Sequence, residues 1–98
     1  VPVYAIAQLT ITDPAAYQRY LEGFFAVFAK YSGTLLAADD APEVVEGDWD
    51  HQKLVMMEFP NRDAFESWAY SEEYQRISED RRAGTTSVVL LARGVGAP

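Results

Sequence analysis

The chain contains no cysteine. That excludes disulfides, thiolate zinc sites, iron–sulfur clusters and a cysteine nucleophile. A single histidine, His51, excludes a multi-histidine metal centre within one subunit. Basic side chains are few, 8 against 15 acidic ones, for a formal net charge of −7. Binding to nucleic acid needs cations that displace condensed counterions, so a nucleic-acid partner is not expected. An anionic membrane surface is disfavoured for the same reason. No apolar run approaches the roughly 20 residues that a membrane span requires. The opening Val1-Pro2-Val3-Tyr4 lacks the basic residues of a secretory signal, and a cytoplasmic protein is expected. There is no Gly-rich phosphate loop, no Ser/His/Asp elbow and no paired-carboxylate motif, and no cofactor or metal is expected.

What is present is an ordinary globular composition, 49% hydrophobic and 13% aromatic. Ninety-eight residues make one domain, 1–98, with one modest core. Val3 to Thr12 alternates and reads as a strand, with Val3, Ala5, Ala7, Leu9 and Ile11 on an apolar face. Asp13-Pro14 starts a helix, Asp13 as cap and Pro14 in the first turn, where a missing N–H costs nothing. Tyr17, Leu21, Phe24, Phe28 and Tyr31 recur every three or four residues and carry this helix to about Tyr31. Gly33 is expected to end it in the left-handed conformation. Gly23, in mid-helix, suggests a close approach to a strand or a ligand.

Thr34 to Ala38 reads as a second strand, broken by Asp39-Asp40-Ala41-Pro42. Glu43 to Glu46 is a candidate extended segment, and Gly47-Asp48-Trp49-Asp50 a turn. Lys53–Phe59 is a third strand. Asn61 caps a helix with Phe65, Trp68 and Ala69, and Ser71 caps another that ends near Gly84. Glu72 and Glu73 suit the first turn of that last helix. Ser87 to Arg93 is the last strand. The order β-α-β-β-α-β predicts an α+β, ferredoxin-like fold: a four-stranded antiparallel sheet with helices on one face. The third and last strands are apolar on both sides, so the face without helices should not stay bare. Sheet-to-sheet packing in a homodimer covers it; the alternative is cover by the tail or a loop.

Several segments, in order, resemble the DUF1330 family. They are Tyr4-Ala5-Ile6-Ala7, Thr12-Asp13-Pro14-Ala15-Ala16-Tyr17, Lys30-Tyr31-Ser32-Gly33, Val45-Glu46-Gly47-Asp48-Trp49, Glu58-Phe59-Pro60, Trp68-Ala69-Tyr70-Ser71, Glu73-Tyr74-Gln75 and Arg81. The family pattern has two glycines before the second strand. Here the first is Ser32, which weakens any role of that turn in ligand approach. The resemblance implies the dimeric α/β-barrel architecture, in which two ferredoxin-like subunits pack their sheets together. That superfamily includes cofactor-independent monooxygenases, muconolactone isomerases, haem proteins and stress-responsive proteins, so it implies no single chemistry.

The candidate chemistry is sparse. Glu58 shares a strand face with Leu54 and Met56, and a carboxylate among apolar neighbours is a candidate general acid or base. A strand-end carboxylate paired or exposed is the plainer alternative. His51 is the one side chain whose ordinary pKa lies near neutrality, although a polar turn usually holds a solvated histidine. Trp49 could line a cleft, plug the core or cross into a partner subunit. Tyr4, Tyr17, Tyr20, Tyr31, Tyr74, Phe24, Phe28 and Trp68 could wall a pocket between helices and sheet for a small planar molecule, or simply fill the core. Arg81, near Arg62, Arg76 and Arg82, could hold a substrate carboxylate or pair with Glu72, Glu73 or Asp80. Three functions remain open: an enzyme without a bound cofactor acting on a small apolar or aromatic metabolite, a binding protein for such a ligand, and a structural or regulatory dimer.

Overall fold

The computed structural model describes residues 1–96. The elements are β1 (Val3–Ile11), α1 (Pro14–Phe28), β2 (Thr34–Asp39), β3 (Lys53–Phe59), α2 (Arg62–Ala69), α3 (Glu72–Gly84) and β4 (Thr85–Arg93). The four strands form one antiparallel sheet in the order β2-β3-β1-β4. This is the expected ferredoxin-like arrangement, with α3 as the additional helix.

The capping residues act as their chemistry dictates. Asp13 accepts from the amides of Ala15 and Ala16, Asn61 from Ala64, and Ser71 from Tyr74. Each satisfies amides that the first helical turn leaves free. Helix α1 ends earlier than its aromatic stripe suggests. The helix runs to Phe28, Ala29 donates the last α-helical bond to Phe25, and Lys30 and Tyr31 donate to Val27 and Phe28 in a tighter turn.

Gly33 does not adopt the left-handed conformation; among the described residues only Gly47 has a positive φ, of 86°. Gly33 is small for another reason. A Cβ there would lie 2.6 Å from the Phe59 ring and 2.7 Å from the Phe28 ring. Gly23 meets neither strand nor cavity but α3, where a Cβ would stand 3.0 Å from Ile77 Cγ2. Strand β4 begins at Thr85, two residues before the sequence pattern suggests, because Thr85 and Thr86 pair with Ile11 and Thr10. Residues 43–46 form no strand.

The alternation of β1 divides the sheet. Val3, Ala5, Ala7 and Leu9 are buried beneath the helices, level with Phe59, Met57, Val55 and Lys53 of β3. Tyr4, Ile6, Gln8 and Thr10 lie on the opposite, open face with Glu58, Met56 and Leu54. The β2–β3 connection folds over one end of that face. There Trp49 donates its indole N–H to Gln8 at 2.9 Å, and His51 Nδ1 lies 3.1 Å from the Thr10 hydroxyl. Beyond this cover Val88 and Leu90 stay 44% and 48% exposed, beside Ile6. Among the described residues no helix is long and apolar enough to cross a membrane.

Candidate functional site

The space between sheet and helices is set by residue size. The central strand offers only alanine at positions 5 and 7, while α1 presents Tyr17, Tyr20, Leu21 and Phe24 above them. Large rings over a small floor leave room. A cavity of about 300 Å³ results, at the lower end of the range for small-molecule sites. Val55 and Met57 of β3 continue the floor, and Phe65, Trp68 and Tyr74 close the side. The exposed rings of Phe25 and Tyr70 stand at its rim.

The far wall is rigid. Trp68 is 2% exposed and touches five rings, with centroids 4.0 Å from Tyr74, 5.4 Å from Phe28 and Phe59, 6.2 Å from Phe65 and 6.3 Å from Phe24. Such contacts contribute about 0.5–1.5 kcal/mol each beyond simple burial. They fix α1 and α2 on the sheet. Yet the Trp68 indole N–H is buried and, among the described residues, has no hydrogen-bond partner. Leaving a buried donor unpaired costs about 1–3 kcal/mol.

Four further polar side chains line the cavity. The Tyr20 and Tyr74 hydroxyls pair at 2.8 Å, and burial together with Tyr74 pushes the Tyr20 phenol well above its usual range. Arg81 donates from Nη1 to the Ser87 hydroxyl at 3.1 Å, while its buried Nε has no partner among the described residues. Lys53 has a side chain only 11% exposed; its ammonium lies 5.0 Å from the Tyr17 ring centroid and 3.2 Å from an Asp40 oxygen. Burial pulls the Lys53 pKa down, but the Tyr17 and Asp40 side chains outweigh it and hold the group above its usual value. It is therefore charged at neutral pH.

Of the residues singled out from sequence, Tyr17, Trp68, Tyr74 and Arg81 come together around this cavity. The acids that could have neutralised Arg81 are engaged elsewhere: Asp80 with Arg19, Glu72 with Arg76, and Glu73 with Lys30. Glu58, His51 and Trp49 do not reach it. They belong to the open face, and a proton-transfer role for Glu58 or His51 inside the cavity is not supported by this geometry. Glu58 instead stands opposite Tyr4, and hydrogen bonding to its carboxylate raises the Tyr4 phenol pKa. Lys53 was not singled out, although the signal was there: it is in phase with Val55, Met57 and Phe59, a cation on the core side of a strand. Among the described residues no cluster of His, Asp or Glu is arranged to hold a metal.

A family model described as a domain of unknown function, DUF1330, matches residues 2–95. No curated protein matches the sequence. Among solved structures the chain is similar to RPA0582, a protein of unknown function from Rhodopseudomonas palustris. That match has a TM-score of 0.76 and 16% identity, and covers 98% of this chain and 84% of that one. It is similar to a dimeric ferredoxin-like protein of unknown function from Jannaschia sp. CCS1, with a TM-score of 0.75, 13% identity, and 96% and 100% coverage. It is also similar to SnoaB, a cofactor-independent oxygenase from Streptomyces nogalater, with a TM-score of 0.67, 21% identity, and 98% and 95% coverage. At these identities the likeness is one of fold.

Proposed function

This chain belongs to the DUF1330 family, and we propose that it works as a homodimer in which each subunit holds one small, flat, largely apolar metabolite between sheet and helices. One observation carries the ligand reading: an aromatic-walled cavity of about 300 Å³ that the Lys53 and Arg81 side chains also line. A core that served packing alone would fill that space, since interiors pack densely and voids are costly. The dimer reading is supported by the apolar remainder of the open face, around Ile6, Val88 and Leu90, and by the dimeric description of the Jannaschia protein. Packed sheet to sheet, two copies would bury this patch and bring Trp49 and Glu58 near the partner subunit.

A second reading, turnover rather than storage, is favoured by the two cations at the cavity. Lys53 and Arg81, with the Tyr17 phenol, could stabilise negative charge developing on a substrate oxygen. SnoaB is described as an oxygenase that needs no cofactor, which is consistent with chemistry in this kind of fold. Native mass spectrometry of the purified protein tests the main reading. The expected species has twice the 11.0 kDa chain mass and carries a small molecule that Ala7→Leu, which fills the cavity floor, expels. A monomer would overturn the dimer. A small molecule retained by Ala7→Leu would overturn the cavity as its site.

A further inference from the structure

We propose that the cavity is built for an anionic amphiphile, a carboxylate on a flat apolar body, with the carboxylate between Lys53 and Arg81 and the body against Phe24, Phe65 and Trp68. This rests on the ligand reading above and names the class of ligand. The sheet register carries it. Lys53 of β3 is paired with Leu9 of β1, and Leu9 with Ser87 of β4. Arg81 holds Ser87 from above. The two cations therefore flank one row of the sheet, on the side beneath the helices, with Leu9 as the floor between them. Neighbouring strands lie about 4.8 Å apart, so the Lys53 and Ser87 backbones are roughly 10 Å apart. Lys53, drawn toward Asp40 on the β2 side, and Arg81 both line the cavity, and turned toward each other they can share one carboxylate.

The charges at this end do not balance. Two cations face one carboxylate, that of Asp40, which is 86% exposed at the edge of the site. Arg81 has no carboxylate partner among the described residues, and Asp80, Glu73 and Glu72 of its own helix pair with Arg19, Lys30 and Arg76. A part-buried cation without a partner is unfavourable, and an incoming anion relieves it. A neutral ligand of the same shape cannot. The opposite end is apolar and aromatic, about four residues further along β3 at Met57, with Phe65 and Trp68 beside it. The cavity is thus polarised along its length, cationic at one end and aromatic at the other, inside a protein whose net charge is −7.

Calorimetric titration with 2-naphthoate and with 2-naphthamide, its neutral isostere, tests this on the intact protein. The acid should bind at least ten-fold more tightly at pH 7. Lys53→Met should remove most of the acid's advantage over the amide and leave the amide unchanged. Asp40→Asn, a surface change, should tighten the acid several-fold by freeing Lys53, again without effect on the amide. Should Lys53→Met fail to fold, Asp40→Asn carries the test. Equal affinities for acid and amide would overturn the anionic assignment while leaving the cavity as a binding site. Binding of neither would overturn it too, and the ligand reading would then be decided by the mass of the protein as purified.

Discussion

Replacing Ala7 with leucine asks whether the space above the sheet is real. Ala7 is 8% exposed and forms part of the cavity floor between Val55 and Val89. The substitution adds three carbons. Burial stabilises by about 0.8 kcal/mol per methylene, roughly 2.4 kcal/mol in all. Ordering the leucine side chain costs about 0.5–1 kcal/mol. The net expectation is a gain of about 1–2 kcal/mol. For a domain of this size each kcal/mol shifts Tm by roughly 4–8 °C, so Tm should rise by several degrees. The assay is thermal and urea denaturation at one fixed protomer concentration, since dimer stability depends on it. The protein should first be refolded from urea to shed any bound molecule. A solid core would answer in the opposite sense: overpacking costs about 1–3 kcal/mol. A lower Tm for Ala7→Leu would refute the cavity.

Other outcomes follow from the same geometry. Gly33→Ala should destabilise by about 1–3 kcal/mol in urea, because its methyl group meets the Phe28 and Phe59 rings; an unchanged midpoint would contradict that packing. Tyr74→Phe should cost about 1 kcal/mol or more by stranding the buried Tyr20 hydroxyl, and a neutral result would mean that water reaches it. Lys53 has a folded pKa above its usual 10.5, so its contribution is complete below that value and is lost as pH rises through the higher folded one. Tyr20, also raised, loses stability in the same direction. As pH rises above about 10.5 the urea midpoint should therefore fall further in the wild type than in Lys53→Met; equal falls would show that Lys53 contributes no such stability.

Much of this architecture is legible in the sequence because its signals are local. Asp13-Pro14, Asn61 and Ser71 begin helices through bonds to amides two or three residues away. The alternation of Val3 to Ile11 assigns a buried and an open side without reference to any other strand. What was not legible depended on partners distant in the chain. Gly33 looks like a left-handed helix terminator until Phe59 is known to lie over it. Glu58 and His51 look like chemistry until the register puts them across the sheet from the cavity. Arg81 could have paired with any of three acids, and only the packing of α1 on α3 shows two of them taken by Arg19 and Lys30. The cavity itself was half written in the sequence, as Ala5 and Ala7 beneath an aromatic stripe. Nothing in a single strand's pattern says that the stripe stands above those alanines.

The central claim is that the sheet serves two purposes, a ligand under its helices and a second subunit on its open side. A crystal structure of the protein as purified, or soaked with 2-naphthoate, tests both at once. The account predicts two copies packed through Ile6, Val88 and Leu90, with ligand density above Ala5 and Ala7 and its anionic end between Lys53 and Arg81. Side chains closing that space after soaking, or open faces left to solvent, would contradict it.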